Sequence, residues 1–468
     1  MSEQFDLCIL GAGSGGLSVA AGAAQLGLSV VLLESGEMGG DCLNSGCVPS
    51  KALLAAAKAA HGGAAAAKFG VRYAAPTIDF GAVKDHVRGV IDTIAPVDSQ
   101  ERFEGLGCTV IRAAGKFTAR DTVEAGGRQI KARRFVIATG SRASAPPIAG
   151  LAQVPYFTNE TIFDLREAPE HLVIIGGGAI GCEMAQAHRR LGCAVTVIDL
   201  GPILPRDDAD LVEVVRTVLT GEGITLIERT GIERVEQADG RVRVVLAGGR
   251  MVEGSHLLVA AGRAPTVDGI GLEAAGVAFT KKGITVDARR RTTNKRIFAI
   301  GDCREGPQFT HAAGYEAGIV IQNICLRIPA KANYAALPWV TFTDPELAQI
   351  GQTEAEARKA GGAVRVLHWS FEENDRAQAE KRTEGRLKVV LVGGKVVGAS
   401  IVGPGAGELI QTWSLVISAK LSLRKLTGII SPYPTYAEVN KRAAGSAYTA
   451  SLFSDRTRKI VRFLQWFG

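Results

Sequence analysis

Apolar and polar positions along this chain form two similar blocks and then a region of different pattern. An apolar run from Phe5 to Leu10 leads into the turn GAGSGG, small residues continue at helical length to Leu26, and a second apolar run, Leu28 to Leu33, ends in Glu34. The block returns later: Leu172 to Ile175, the turn GGGAIG, a helix through Leu191, and Ala194 to Ile198 ending in Asp199. Short continuous apolar runs between turns predict strands buried on both faces of a parallel sheet. Between the blocks the pattern predicts an alanine-rich helix including Ala52 to Ala60, a hairpin from Gly107 to Arg133, and a strand from Arg134 to Ala138. After the second block, Leu257 to Pro265 and Ile297 to Cys303 read as buried strands running into turns. From Pro338 glycine turns of the phosphate-binding type disappear and strands such as Leu387 to Val392 alternate with helices.

Strand, glycine turn, helix, strand and terminal acid together make a dinucleotide-binding unit. The turn brings backbone amides to a pyrophosphate, and the acid holds a ribose hydroxyl. Gly11, Gly13, Gly16 and Glu34 form the first set, and Gly176, Gly178, Gly181 and Asp199 the second, with the same interval from first glycine to acid. A decayed, ligand-free copy is the alternative; both copies keep all three glycines and the acid, so two nucleotides are expected. The expected fold class is α/β, with two Rossmann-like nucleotide-binding domains and a C-terminal α+β domain. The expected division is 1–150, 151–265, 266–337 returning to the first domain, and 338–468.

The stretch GGDCLNSGCVPSK, Gly39 to Lys51, carries the candidate chemistry. On a regular helix, positions five apart lie about 8 to 9 Å from each other, beyond the roughly 7 Å Cα separation a disulfide spans. A Cys42–Cys47 bond therefore requires a bent or irregular helix start, for which Gly46 and Pro49 are the candidates. Exposed, strained disulfides are readily reduced, and a helix N-terminus favours thiolate. Two buried cysteines or half of a zinc site are the alternatives, but no second ligand pair follows, and no metal site is expected.

Composition narrows the setting. A chain of 468 residues exceeds one core, and its 46% hydrophobic and 22% charged residues are those of a soluble globular protein. The net charge of +7 is spread without a dominant basic block, which argues against nucleic acid as partner. Eight cysteines are no secreted disulfide framework, MSEQFDLCIL reads as a first strand rather than a leader, and no apolar stretch reaches the ~18 residues of a membrane span. A cytoplasmic location is expected.

With these motifs assembled, the chain resembles the class I pyridine nucleotide-disulfide oxidoreductases, which include dihydrolipoamide dehydrogenase, glutathione reductase and mercuric reductase. The resemblance rests on the turns at Gly11 and Gly176, the CxxxxC stretch, ATG at Ala138, GDC at Gly301 and FTDPELAQIG. It implies a homodimer in which electrons pass from NAD(P)H through FAD to the cysteine pair. By position it implies Cys47 against the flavin, Cys42 as the thiol that meets substrate, and Lys51 beside the flavin paired with Glu183. Asp302 is implied on the ribityl chain, with Gly40, Thr139, Gly140, Gly262, Arg263, Gly301 and His311 also at the cofactors. Asp199, which would accept a ribose 2′-hydroxyl and repel a 2′-phosphate, favours NAD(H) over NADP(H); Leu200 follows it, with Arg206 nearby.

The resemblance breaks near the C-terminus. Disulfide-exchanging members carry a histidine base in a His-Pro-Thr segment and a glutamate that orients it; here the segment is SPYPTYAE, with Tyr433 in the histidine's place and Glu438 retained. Histidine (pKa ~6.5) accepts a thiol proton near neutrality, whereas tyrosine (~10) donates. A tyrosine is similar to mercuric reductases, yet their vicinal cysteine pair is absent from FLQWFG. The expected function is thus mercuric reductase-like transfer to a small thiol-reactive acceptor, with dihydrolipoamide dehydrogenase as alternative. A redox-sensing or membrane-docked module serving a protein partner is the third. Asp41 is expected to raise the Cys42 pKa. The remaining cysteines are expected to be buried and inert. The tail from Arg456 to Gly468 alternates cations with apolar residues, giving a basic amphipathic helix that packs on the dimer or meets a membrane surface or partner.

Overall fold

In the computed structural model, which describes residues 3–467, the strand Glu3–Leu10 lies at the centre of a seven-stranded sheet. Val30–Leu33 and then Cys108–Ile111 run parallel to it on one side, and Arg128–Ile137 runs parallel on the other. All four residues of Val30–Leu33 are buried, as a strand covered on both faces requires. Helix Ser14–Gln25 makes the crossover. Its packing against helix Thr310–Ile324 depends on small residues: a Cβ on Gly22 would meet Ile321 Cδ1 at 2.5 Å. Ile297–Ala299 pairs with Phe135 to Ile137, so the chain returns to this sheet after passing through the second unit.

The second unit repeats the arrangement in a parallel sheet of order Thr225–Ile227, Ala194–Ile198, His171–Ile175 and His256–Val259. The two glycine turns correspond bond for bond. Gly11 N donates to Leu33 O at 2.8 Å and Gly176 N to Ile198 O at 2.9 Å. Glu34 accepts from Ala12 N (2.6 Å) and Gly36 N (2.7 Å), while Asp199 accepts from Gly177 N (2.6 Å) and Gly201 N (2.7 Å). A local sequence pattern has produced the same backbone cradle twice.

The third unit is a five-stranded antiparallel sheet, Pro338–Thr341, Glu346–Gly351, Lys395–Gly403, Arg386–Val392 and Val364–Ser370. Helices Gln411–Ser418 and Glu438–Leu452 cover it; Trp413 is fully buried and donates from Nε1 to Asn440 at 2.8 Å. Among the described residues, no helix is long and apolar enough to cross a membrane.

One expectation needs correction. The hairpin over 107–133 is instead the parallel strand Cys108–Ile111 followed by an antiparallel meander, Lys116–Ala119, Thr122–Ala125 and Arg128–Ile137. The expected strand Arg134 to Ala138 is the second half of Arg128–Ile137. Both belong to one sheet whose pairing with Glu3–Leu10 is long-range, and local alternation carries no signal of it.

The third glycine of each turn sets how closely helix and strand approach. A Cβ on Gly181 would lie 1.9 Å from Gly176 O, as one on Gly16 would from Gly11 O. Gly181→Ala is expected to cost about 1 to 3 kcal/mol through forced backbone displacement, read as a lower urea midpoint with an unchanged slope.

Candidate functional site

The reactive stretch is built on a broken helix. Helix Gly40–Asn44 carries Cys42, and helix Cys47–Ala66 begins with Cys47. The break falls at Ser45 and Gly46; Gly46 has φ −125° and ψ −114°, and a Cβ there would meet Asp41 O at 2.8 Å and Cys42 Cα at 3.2 Å. Gly46 thus does the bending. Pro49 is buried in the first turn of the second helix, where its missing N–H costs nothing.

Cys42 and Cys47 are both free thiols, and each acts on the other's acidity. The neighbouring Cys42 thiol lowers Cys47 to about 6, helped by Thr310, whose Oγ1 lies 3.4 Å from its sulfur, and by the charge of Lys51. The interaction of its thiol with Cys47, together with burial and the Cys47 charge, pushes Cys42 strongly upward. Asp41 does not act as expected. Arg263 pairs with it at 3.3 Å, Ser45 Oγ and Asn159 Nδ2 donate to it, and its remaining effect is a small upward push on Cys47, not on Cys42.

Lys51 Nζ donates to Glu183 Oε2 at 2.8 Å and lies 4.3 Å from the centre of the Phe342 ring. Glu183, 5% exposed, accepts from Phe342 N at 2.9 Å through its other oxygen. Asp302 accepts from Ser141 Oγ at 2.8 Å, and Arg263 donates from Nε to the same hydroxyl at 2.8 Å. Burial raises the Asp302 pKa. The turn holding Asp302 is fixed by Glu316, which accepts from Gly301 N at 2.8 Å and is itself paired with the fully buried Arg304.

The two cysteines, Lys51, Glu183, Ser141, Arg263 and Asp302 face one cavity of about 960 Å³. Gly11, Gly13, Glu34 and Gly40 line one end, and Cys42, Cys47, Lys51 and Glu183 another part of the wall. Thr139, Gly140, Gly262, Arg263, Gly301 and Asp302 complete the side between them. His311 also lines it, stacked on Phe309 and bonded through Nε2 to Pro338 O at 2.8 Å. Gly178 is the second turn's contribution; Gly16, Gly176, Gly181 and Asp199 stand behind the wall, and Arg206 is exposed at the rim.

The cavity fits the dinucleotides that the resemblance implies. The first glycines have φ of +104° (Gly11) and +115° (Gly176), and a Cβ on either would strike a carbonyl oxygen within 2.5 Å. The middle glycines face open room: a Cβ on Gly178 would meet nothing within 4 Å, and one on Gly13 only Gly40 Cα at 3.9 Å. That is the space a pyrophosphate needs to reach the backbone. Among the described residues, no group of three or more His, Cys, Asp or Glu forms a metal site.

Tyr433 lies away from this protomer's cavity, 67% exposed, and its hydroxyl donates to Asp375 Oδ2 at 2.7 Å, which raises its pKa. Glu438, the acid expected to orient residue 433, instead pairs with Arg442 at 3.3 Å. Asp375 and Thr310 were not legible as site residues, because each meets its partner only through tertiary packing. Cys8, Cys108, Cys182, Cys193 and Cys303 are buried with thiols pushed upward by burial; Cys325 is half-buried.

Comparison with known proteins adds to this geometry. Residues 5–317 match the family description "Pyridine nucleotide-disulphide oxidoreductase", and residues 337–444 match the dimerisation domain of the same family. A mercuric reductase from Streptomyces lividans is 36% identical over 455 residues, covering 94% of this chain and 95% of that protein. A dihydrolipoyl dehydrogenase from Geobacillus stearothermophilus is 32% identical over 452 residues, covering 94% and 96%. The Cu(II) complex of the HOCl-induced flavoprotein disulfide reductase RclA from Escherichia coli superposes with a TM-score of 0.84 at 27% identity, covering 93% of this chain and 99% of that one.

The thiol geometry has a measurable consequence. Thiolate absorbance of the reduced protein is expected to titrate with a first apparent pKa of about 6, with thiolate above that pH and thiol below it. Lys51→Met, which removes a cation that favours the thiolate, is expected to move this titration upward; an unchanged curve would show that the lysine does not act on the pair.

Proposed function

Because this chain belongs to the pyridine nucleotide-disulphide oxidoreductase family, whose members depend on FAD and bind NAD(P), we propose that it is a homodimeric enzyme passing two electrons from NADH through Cys47 and Cys42 to a small thiol-reactive acceptor, as a mercuric reductase does. The observation that carries this reading is the asymmetric thiol pair, with Cys47 lowered to about 6 in the cavity that both glycine turns face. FAD, when bound, supplies the two-electron relay between nicotinamide and cysteines. Gly11, Gly13 and Glu34 would hold its adenine nucleotide end, Asp302 its ribityl chain, and Lys51 would set a fixed cation near its ring.

The protein's own residues then divide the work. Two electrons from one NADH, with one proton, open the Cys42–Cys47 bond and leave NAD⁺ and two thiols; Cys47 sheds its proton above about pH 6. The dithiol returns both electrons to the acceptor as its S–S bond re-forms. A disulfide acceptor leaves as two thiols; a divalent metal ion leaves as the zero-valent atom, with two protons released.

Tyr433 favours the metal ion. Its hydroxyl is a donor committed to Asp375, with a pKa above the ordinary ~10, so it accepts no thiol proton near neutrality. A thiophilic ion bound by thiolates needs no such base. The mercuric reductase relatives and the Cu(II) complex of the structural neighbour support the same choice. Dihydrolipoyl dehydrogenase activity is the second reading, supported by the 32% identical relative. NADH is preferred on the strength of Asp199, which ends its strand with Leu200 rather than an arginine behind it.

NADH oxidation by the purified flavoprotein is expected to be faster with thiol-complexed mercuric ion than with lipoamide. Cys42→Ser is expected to abolish acceptor reduction while NADH still bleaches the flavin. Rapid lipoamide turnover by the unmodified enzyme would make the second reading correct. Asp199→Ser is expected to lower the NADH-to-NADPH ratio of kcat/KM by about tenfold; an unchanged ratio would remove Asp199 as the determinant.

A further inference from the structure

Past residue 444, where the match to the family's dimerisation domain stops, lies a helix that the rest of the protomer does not cover. Helix Asp455–Leu464 begins at Ser454, whose hydroxyl accepts from Thr457 N at 3.3 Å, and none of its residues is buried. Ile460, Phe463, Leu464 and Phe467 recur at i, i+3, i+4 and i+7 and so share one face. They are 48 to 74% exposed, and Trp466, just beyond the helix, is 86% exposed. Arg458 and Arg462 occupy the opposite side, Lys459 flanks the apolar face, and Arg456, one turn before Ile460, caps its N-terminal end. Asp455, the single acid of the segment, pairs with Arg458 at 3.4 Å. Leu452 and Phe453, at the end of the preceding helix, extend the exposed apolar surface.

A helix this short is marginal in water without a surface to pack on. The protomer does not supply that surface. A second copy fits poorly: the family's dimerisation match stops before the helix, and two copies meeting here would gather their arginines and lysines where homodimer interfaces are depleted of charge. An anionic lipid surface satisfies both sides of the helix. The apolar side enters the boundary between headgroups and acyl chains, the cations reach lipid phosphates, and tryptophan sits at headgroup depth.

We propose that residues 455–467 dock this enzyme on bilayer surfaces rich in anionic phospholipid, with Ile460, Phe463, Leu464 and Phe467 seated in the interface and Arg458, Lys459 and Arg462 on lipid phosphates. The helix lies on the membrane and does not span it. The docking is independent of which acceptor the cysteines serve.

The test uses the full-length, FAD-loaded enzyme, sedimented with phosphatidylcholine vesicles containing about 30 mol% phosphatidylglycerol and with vesicles of phosphatidylcholine alone. Binding to the anionic vesicles is expected to exceed binding to the neutral ones by about tenfold and to fall as salt is raised. Phe463→Ser with Phe467→Ser, and separately Arg458→Gln with Lys459→Gln and Arg462→Gln, are each expected to weaken it by about tenfold, with dimer mass and flavin reduction by NADH unchanged. No binding to anionic vesicles, or equal binding by a chain ending at Phe453, would overturn the proposal. So would dissociation of the lipid-free dimer on the phenylalanine substitutions, which would place the helix in the subunit contact.

Discussion

The carboxylate of Glu183 ties the three units together at the site. It projects from helix Ala179–Arg190 of the second unit, accepts from Lys51 of the first, and accepts from the Phe342 amide of the third. At 5% exposure an acid without such partners carries a heavy desolvation penalty, so the three units are held in the arrangement that keeps both oxygens bonded. Lys51 is then fixed at one place on the cavity wall, between this carboxylate and the Phe342 ring. Its charge bears on Cys47 four residues earlier, one helical turn away. Domain packing and thiol chemistry therefore share one interaction.

A second set of charges keeps the opposite wall in place. Arg263 reaches Ser141, Asp41 and Asp302, so the segment returning from the second unit is fastened to the first at the point where the cysteine stretch begins. Neutralising Asp41 in this way also matters for the thiols. An unpaired carboxylate next to Cys42 would oppose thiolate formation; clamped by a guanidinium and an asparagine amide, it keeps only a small upward push on Cys47 against the lowering by Cys42, Thr310 and Lys51. Behind this wall the buried Arg304–Glu316 pair holds Gly301, and through it Asp302, without touching the cavity.

The parts of the site that could be read from the sequence are those where local backbone geometry is the constraint. Gly11, Gly16, Gly176 and Gly181 are dictated by contacts within a single strand-turn-helix unit, and Gly46 by the approach of residues only a few positions away. Their spacing therefore announces them. The pairing of Cys108–Ile111 with Val30–Leu33, and the Asp375 partner of Tyr433, join residues distant in sequence and leave no periodic trace. Glu438 was legible as an acid at the expected interval from residue 433, but which cation or hydroxyl it meets is set by the helix it starts, and that helix presents it to Arg442. The tail was legible as amphipathic; its periodicity could not say what lies against it, and the protomer leaves it exposed.

Breaking the helix between the two cysteines has a chemical result as well as a geometric one. Had Cys42 and Cys47 continued one regular helix, their sulfurs would not meet, and neither would modify the other's acidity. With Gly46 folding the chain back, each thiol shifts the other's acidity, and Cys47 also gains the first-turn position of a long helix, Thr310 and Lys51. Thr310 favours the Cys42 thiolate too, but the Cys47 interaction, burial and the Cys47 charge outweigh it, and Cys42 keeps the proton. Two chemically identical residues thus become different: an anionic sulfur fixed by the protein, and a protonated one free to lose its proton only when something else takes it. On the proposed reading, a thiophilic cation displaces that proton to water by binding sulfur directly. A disulfide acceptor must find a base, and at position 433 this chain offers a hydroxyl already bonded to Asp375.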